Sequence, residues 1–377
     1  MTVTENVTPT VGPAELPPMD VSPRLDRLRS SMDAAGVDAL VVSELANIRY
    51  LTGFSGSAGM LLVGPERSLF VTDGRYRTQS AEQLSAAGVD VEIEISATSP
   101  DEATAAAAKG VTRLGLEADH VSWSAQRRWS NELHDGELVA TTGLVEDLRL
   151  LKDPGEVARI RAACAIADEA LGSVAARLAE GPTEREFALE LEAAMMRRGA
   201  DDLSFETIVA SGPNGAKPHH SPSHRTIAEG DLVVVDFGAL VDGYHSDMTR
   251  VFAVGDIGEE RRRMVEVVAR AQSAGLEAVR AGVEAVDVDA TCRSVIEDAG
   301  WGEAFSHGTG HGVGLDIHEE PRVSTRSTAT LSAGHVVTVE PGIYLPDLGG
   351  VRIEDTVLVT EDGCERLTLA AKDPTPG

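Results

Sequence analysis

Short apolar runs alternate with stretches of helical periodicity up to about residue 150, where the texture changes. Ser22 and Pro23 read as N-cap and first helical residue of a helix ending near Gly36. Strands are predicted at DALVVS (38–43), GMLLVG (59–64), LFVTD (69–73), VDVEIEIS (89–96) and RLGLE (113–117), with helices near 75–87, 101–109 and 122–134. Such alternation predicts an α/β layer. The LRLLKDP stretch then places a boundary at about 147–153, between a domain over 21–149 and a second over 150–377. In the second, Asp153, Pro154 and Glu156 open an Ala-rich helix that stops near Gly181, and Thr183 with Glu186 opens another that ends at Gly199. Hairpins follow, then helices near 258–281 and 287–299, then further strands.

Two hairpins resemble each other. EGDLVVVDFGALVDGYHSDMTRVFAV (229–254) can be laid over AGHVVTVEPGIYLPDLGGVRIEDTVLV (333–359), matching Asp236 with Glu340, Gly238 with Gly342, Asp247 with Glu354 and Thr249 with Thr356. Each carries one acid at the end of an almost wholly apolar strand and a second, 11 or 14 residues later, on the returning strand.

Charge narrows the function classes. The 61 Asp and Glu against 33 Lys and Arg give a formal charge of -28 over 377 residues, which disfavours nucleic acid and anionic membrane as partners and leaves cations. With 42% hydrophobic and 25% charged residues the bulk is an ordinary globular chain. The opening MTVTENVTPTVGPAELPPMD is polar and Pro-rich without a basic or apolar leader region, so a disordered tail is expected over 1–20 and a cytoplasmic location for the protein. The Asn6 sequon is then idle. No run reaches the roughly 18 apolar residues a membrane span requires. Cys164, Cys292 and Cys364 are far apart and odd in number, which predicts reduced thiols.

The acids in the hairpins carry the chemistry. Asp236 in VVVDFG and Glu340 in VVTVEPG each follow a buried-strand pattern, and a buried carboxylate must be protonated, paired or metal-bound. The chain has only four lysines, none of them in either hairpin, and Arg250 and Arg352 are the arginines placed to pair. Four acids in related positions point instead to a cation site, and two divalent ions would balance them. Eight of the ten histidines lie between His219 and His335, with His307, His311 and His318 set among glycines in HGTGHGVGLDIHE. Four carboxylates and one imidazole form an oxygen-rich ligand set that favours manganese. GTGHGVG fails the dinucleotide pattern because Val313 occupies its last position.

The segments NIRYLTGFSGS, TDGRYRTQ, SFETIVASGPNGAKPHH, VVDFGA, GYHSDMTR, HGTGHGVGLDIHE, TVEPGIY and GGVRIEDT resemble those of the Xaa-Pro peptidases, the family M24 branch that holds prolidase and aminopeptidase P. The likeness covers the chain beyond residue 22. It implies an α+β pita-bread catalytic domain with an internal pseudo-two-fold repeat, preceded by a smaller α/β creatinase-like domain. It also implies two divalent ions, with manganese expected and cobalt or zinc as alternatives. Asp247 and Glu354 would bridge them, Asp236 would chelate one, and His311 with Glu340 would complete the other. Glu340 would move the proton of the attacking water, and His219 and His318 would face the reacting amide and its oxyanion. His307, Tyr344 and Arg352 would line the proline pocket. A short proline-containing peptide is the substrate so implied, and a homodimer or larger assembly the expected form.

Rival readings are a methionine-aminopeptidase-like enzyme, a creatinase-like amidinohydrolase, and a metal-free binding paralogue. The first domain, the segments TVEPGIY and GGVRIEDT, and the full set of five ligand positions count against them. His220 and His224 are expected to be solvated loop residues, and His245 to be structural.

Overall fold

The computed structural model describes residues 16–133, 135–373 and 375, so the expected tail up to residue 15 and the Asn6 sequon lie outside the described residues. The chain divides into two compact units, one of Met19–Arg149 and one from Leu150 onward together with residues 16–18.

The first unit is built on a six-stranded sheet. Its strands run in the order Glu92–Ile95, Ser68–Thr72, Met60–Val63, Ala39–Val42, Arg113–Glu117 and Glu137–Thr141. The central Ala39–Val42 strand is buried along its whole length, antiparallel to one neighbour and parallel to the other, as an apolar run between covered faces requires. The first helix starts one residue later than its sequence suggests. Pro23 takes the N-cap position, its carbonyl accepting from the Arg27 amide, and the helix runs Arg24–Ala35. The short helix Leu45–Thr52 carries no Ser, Thr, Asp or Asn cap to announce it; Glu44 caps it instead.

The second unit repeats one arrangement twice. Helices Pro154–Val174 and Glu184–Arg197, each opened by a complete capping box, cover a three-stranded antiparallel sheet of Met248–Ala253, Leu232–Phe237 and Ile208–Ser211. The first of these helices is shorter than its Ala-rich pattern suggests, tightening into 3₁₀ geometry over Ala175–Glu180 before Gly181 turns left-handed at φ 72. Helices Gly258–Ala278 and Ala285–Asp298 pack with a five-stranded sheet that includes Gly310–Gly312, Val336–Val339 and Asp355–Val359.

Strand alternation places the acids. Val233, Val235 and Phe237 bury against the first helix pair, while Leu232 and Val234 point into the other core. Asp236 shares their parity and therefore faces the interior between the two halves. Asp247 and Glu354 each stand one residue before a returning strand. The two hairpins are related but not identical: Asp236 stands opposite Thr249, whereas Thr356 stands opposite Thr338, two residues short of Glu340.

Candidate metal centre and active site

Asp236, Asp247, His311, Glu340 and Glu354 all line one cavity of about 490 Å³ in the second unit. His219, His307, His318 and Arg352 line it as well. Tyr344 does not reach its wall; the hydroxyl lies behind it, 2.8 Å from His307 Nε2 and accepting from Arg352 Nη1 at 2.8 Å.

His311 stands on a three-residue strand, between two glycines that the geometry demands. A Cβ on Gly310 would fall 2.0 Å from the Thr338 carbonyl oxygen, and one on Gly312 would fall 2.3 Å from that of Glu320. The strand can therefore lie against its neighbours only without side chains at those positions. His311 Nδ1 donates to its neighbour's carbonyl, Gly312 O, at 3.0 Å, which fixes the ring with Nε2 facing the acids. From Nε2, Asp247 Oδ2 is 3.4 Å away and Glu340 Oε1 is 3.3 Å away. Asp247, His311 and Glu354 each offer one ligand atom within 4.8 Å of the others.

Threonines tie the hairpins to each other. Thr249 of the first donates to Glu354 Oε2 of the second at 2.7 Å, and Thr356 of the second donates to the Asp247 carbonyl of the first at 2.7 Å. The Thr249–Thr356 match in the sequence thus reflects a reciprocal contact that positions the acids. Thr338 adds a bond to Glu340 Oε1 at 3.1 Å and accepts from the His311 amide at 3.1 Å.

Charge in the cavity is unbalanced. Among the described residues, the four carboxylates have one guanidinium in direct contact, that of Arg352, and one imidazole, that of His311. Arg352 pairs with Asp236 Oδ2 and donates from Nε to Thr249 at 3.0 Å, so its role is to hold Asp236, Thr249 and Tyr344 in place. Burial pushes Asp247 up to about 7 even though His311 bonds to it, and burial with repulsion from Asp247 and Glu340 carries Glu354 well above the usual carboxylate range. Glu340 is brought to about 2, because the His311 hydrogen bond and charge outweigh its burial. Two oxygens, Asp236 Oδ1 and Glu354 Oε1, are buried with no hydrogen-bond partner. Repelling acids, orphaned carboxylate oxygens and an imidazole with Nε2 turned toward them fit a divalent metal site of hard oxygen ligands with one borderline nitrogen.

Around this centre the wall carries groups for substrate. His318 packs edge-on to His311, with ring centroids 4.4 Å apart, and its pKa is brought down to about 4 by partial burial and by the nearby charges of His311 and Arg322. His307 is likewise held neutral by burial. Arg322, which its sequence did not single out, lines the cavity with its side chain half exposed and only a 3.9 Å contact to Glu320. The expectation for His220 is corrected: it is no solvated loop residue, its Nε2 lying 2.9 Å from the buried Glu184 carboxylate. His245 is structural, with Nδ1 2.9 Å from the Ser204 hydroxyl.

Comparison with known proteins agrees with this geometry. Residues 158–361 match the model of metallopeptidase family M24, and residues 24–151 match the creatinase/prolidase N-terminal domain. The Xaa-Pro dipeptidase of Pyrococcus furiosus is 37% identical over 93% of this chain and 99% of its own length. Among solved structures, an Xaa-Pro dipeptidase from Bacillus anthracis superposes with a TM-score of 0.90 at 40% identity, covering 93% of this chain and 98% of that one. The X-Pro aminopeptidase of Thermotoga maritima gives 0.83 at 34%, covering 91% and 99%. The chain is a hydrolase of metallopeptidase family M24, with a creatinase/prolidase-type domain ahead of its catalytic domain.

Proposed function

We propose that this protein is an Xaa-Pro peptidase that cleaves the bond between an N-terminal residue and proline, with dipeptides as its preferred substrates. The observation that carries the reading is the convergence of four carboxylates, two of them buried, and His311 Nε2 on one cavity, with two carboxylate oxygens left orphaned. In this reading Asp236, Asp247, His311, Glu340 and Glu354 hold two divalent ions, whose four charges balance the four acids. Manganese suits the oxygen-rich set. When bound, such a pair supplies Lewis acidity and lowers the pKa of coordinated water toward neutrality.

The chain's own groups do the rest. Glu340 accepts a proton from the attacking water and returns it to the proline nitrogen as the C–N bond breaks; that nitrogen, part of a tertiary amide, has no proton of its own. His318 and His219, on the same wall, donate to the oxyanion as it develops, each such donor being worth roughly 2.7–4 kcal/mol. His307 and the Tyr344 behind it shape the proline slot. Arg322 is the cation on the wall with donors to spare, and a free C-terminal carboxylate is the group it suits, which favours dipeptides. The likeness to the T. maritima X-Pro aminopeptidase supports longer substrates as a second reading. A cytoplasmic homodimer completes the proposal, the three free thiols being at home in a reducing compartment.

The test is hydrolysis of X-Pro, X-Pro-amide and X-Pro-Y-Z by manganese-loaded protein. X-Pro is expected to turn over fastest, and Asp247→Ala or His311→Ala to lose both metal and activity. Full turnover after exhaustive chelation would sink the proposal. Arg322→Ala is expected to raise KM for X-Pro roughly tenfold while leaving X-Pro-amide unchanged; an equal effect on both substrates removes the carboxylate assignment.

A further inference from the structure

The Glu184 carboxylate lies outside the catalytic cavity, at the first residue of the Glu184–Arg197 helix, and its side chain is completely buried. It accepts from both ends of the segment that follows the Ile208–Ser211 strand. At one end Ser211 donates from its amide at 2.8 Å and its hydroxyl at 2.6 Å. At the other Ser223 donates from its amide at 3.0 Å and its hydroxyl at 2.6 Å. Between them Asn214 Nδ2 reaches both oxygens at 3.0 and 3.2 Å, and His220 Nε2 lies 2.9 Å from Oε2. The start of the same helix grips the segment's exit, the amides of Glu184 and Arg185 donating to the Arg225 and Ser223 carbonyls at 3.0 Å each.

The middle of this segment forms part of the cavity wall, through Pro218, His219, His220 and Ser221. The 3₁₀ turn at its start lies tightly against the second hairpin, where a Cβ on Gly350 would fall 2.0 Å from the Gly215 carbonyl oxygen, whereas the stretch that carries His219 is held to that hairpin, among the contacts of the described residues, by Arg352 Nη1 donating to the Pro218 carbonyl at 3.4 Å. The segment has no helix or strand of its own beyond the 3₁₀ turn Gly212–Ala216. A buried anion with this many donors is ionised throughout the working pH range; the hydrogen bonds from Ser211, Ser223 and Asn214 outweigh burial and bring Glu184 to about 2.

We propose that Glu184 is a positioning residue for the peptidase reaction: by fixing both ends of the 211–223 segment, its carboxylate sets where His219 stands on the cavity wall. The inference rests on the reading of His219 as a substrate-contacting residue. Glu184→Gln is the informative change, because the carboxamide turns an N–H₂ toward donors and breaks the convergence without changing volume.

The experiment is a double-mutant cycle of Glu184→Gln and His219→Ala on manganese-loaded protein, reading kcat and KM on X-Pro, bound metal, and hydrogen exchange over residues 211–223. Glu184→Gln is expected to keep the parent's metal content, to speed exchange in the segment, and to lower kcat by roughly 100-fold, as a misplacement of about 1 Å does. In the His219→Ala background the same change should alter kcat less than about threefold, since the group being positioned is gone. Additive losses, or parental kcat in Glu184→Gln while His219→Ala is impaired, overturn the inference. Parental kcat in His219→Ala itself overturns the reading of His219, and is seen independently of Glu184. If Glu184→Gln does not fold, the cycle is run with Ser211→Ala/Ser223→Ala, which deletes one donor at each end, and the same outcomes decide.

Discussion

Arg250 offers the sharpest test of how the centre is supported. Its side chain is 1% exposed and contacts both acid-bearing hairpins. It donates to the Thr249 carbonyl at 2.9 Å, to the Glu354 carbonyl, to the Ala370 carbonyl from two nitrogens at 3.1 and 2.8 Å, and to Asp355 Oδ1 at 2.9 Å. Arg250→Met keeps the apolar stem and removes every donor. Asp355 is not left bare, for Gln272 and Thr368 still donate to it at 3.0 Å and Lys372 and Arg366 remain beside it. The Glu354 and Ala370 carbonyls lose this donor. Breaking a buried pair costs about 3–5 kcal/mol, and the surviving partners of Asp355 put this case near 3–4. At about 2–4 °C per kcal/mol for a domain of this size, Tm should fall by roughly 6–16 °C. Differential scanning calorimetry of chelated protein checks this, with bound manganese measured after dialysis. Arg250→Lys, which keeps the charge but not the fork of donors, should fall between. A drop below about 2 °C for Arg250→Met, with metal retained, would refute the view that this guanidinium holds Glu354 in place.

Two further predictions follow from the packing. Gly310→Ala should cost about 1–3 kcal/mol by overpacking and displace His311, lowering bound metal while circular dichroism stays near the parent's, because the added methyl meets the Thr338 carbonyl. His335 is buried, accepts from the Ser332 amide through Nδ1 at 3.2 Å, and is depressed to about 4 by burial and by Lys152. The unfolded chain, with a histidine pKa near 6.5, therefore binds a proton that the folded one does not, so its stability contribution is present above about pH 6.5 and is lost as pH falls toward 4. Urea titrations at stepped pH should show a flatter decline over that window in His335→Gln than in the parent; parallel curves would remove the assignment.

Much of this molecule follows from local rules. The capping boxes at Asp153 and Thr183 are complete in the structure because each needs only four consecutive residues. Five of the six strands of the first unit fall on the segments predicted for them, Glu137–Thr141 being the one not foreseen, and Asp236 faces inward because strand parity alone decides it. The hairpin overlay located all four acids, since period and charge are written along the chain. Other features depend on residues far apart in sequence. That Thr249 serves Glu354, 105 positions away, is a fact of how two hairpins meet. So is the two-residue offset between their registers. His220 and His219 are adjacent and chemically identical in sequence and both border the cavity, yet it is His220 that turns to Glu184, because a donor cluster closes around a carboxylate 36 positions earlier. Arg322, which the sequence did not single out, reaches the wall, and Tyr344, expected there, stands behind it, because whether a side chain reaches a wall depends on what fills the space between. Sequence by itself singled out the four acids and the histidine that meet at one cavity, through spacing and parity; tertiary structure alone decided their partners, because hydrogen bonds and burial are settled by distances that the order of residues does not contain.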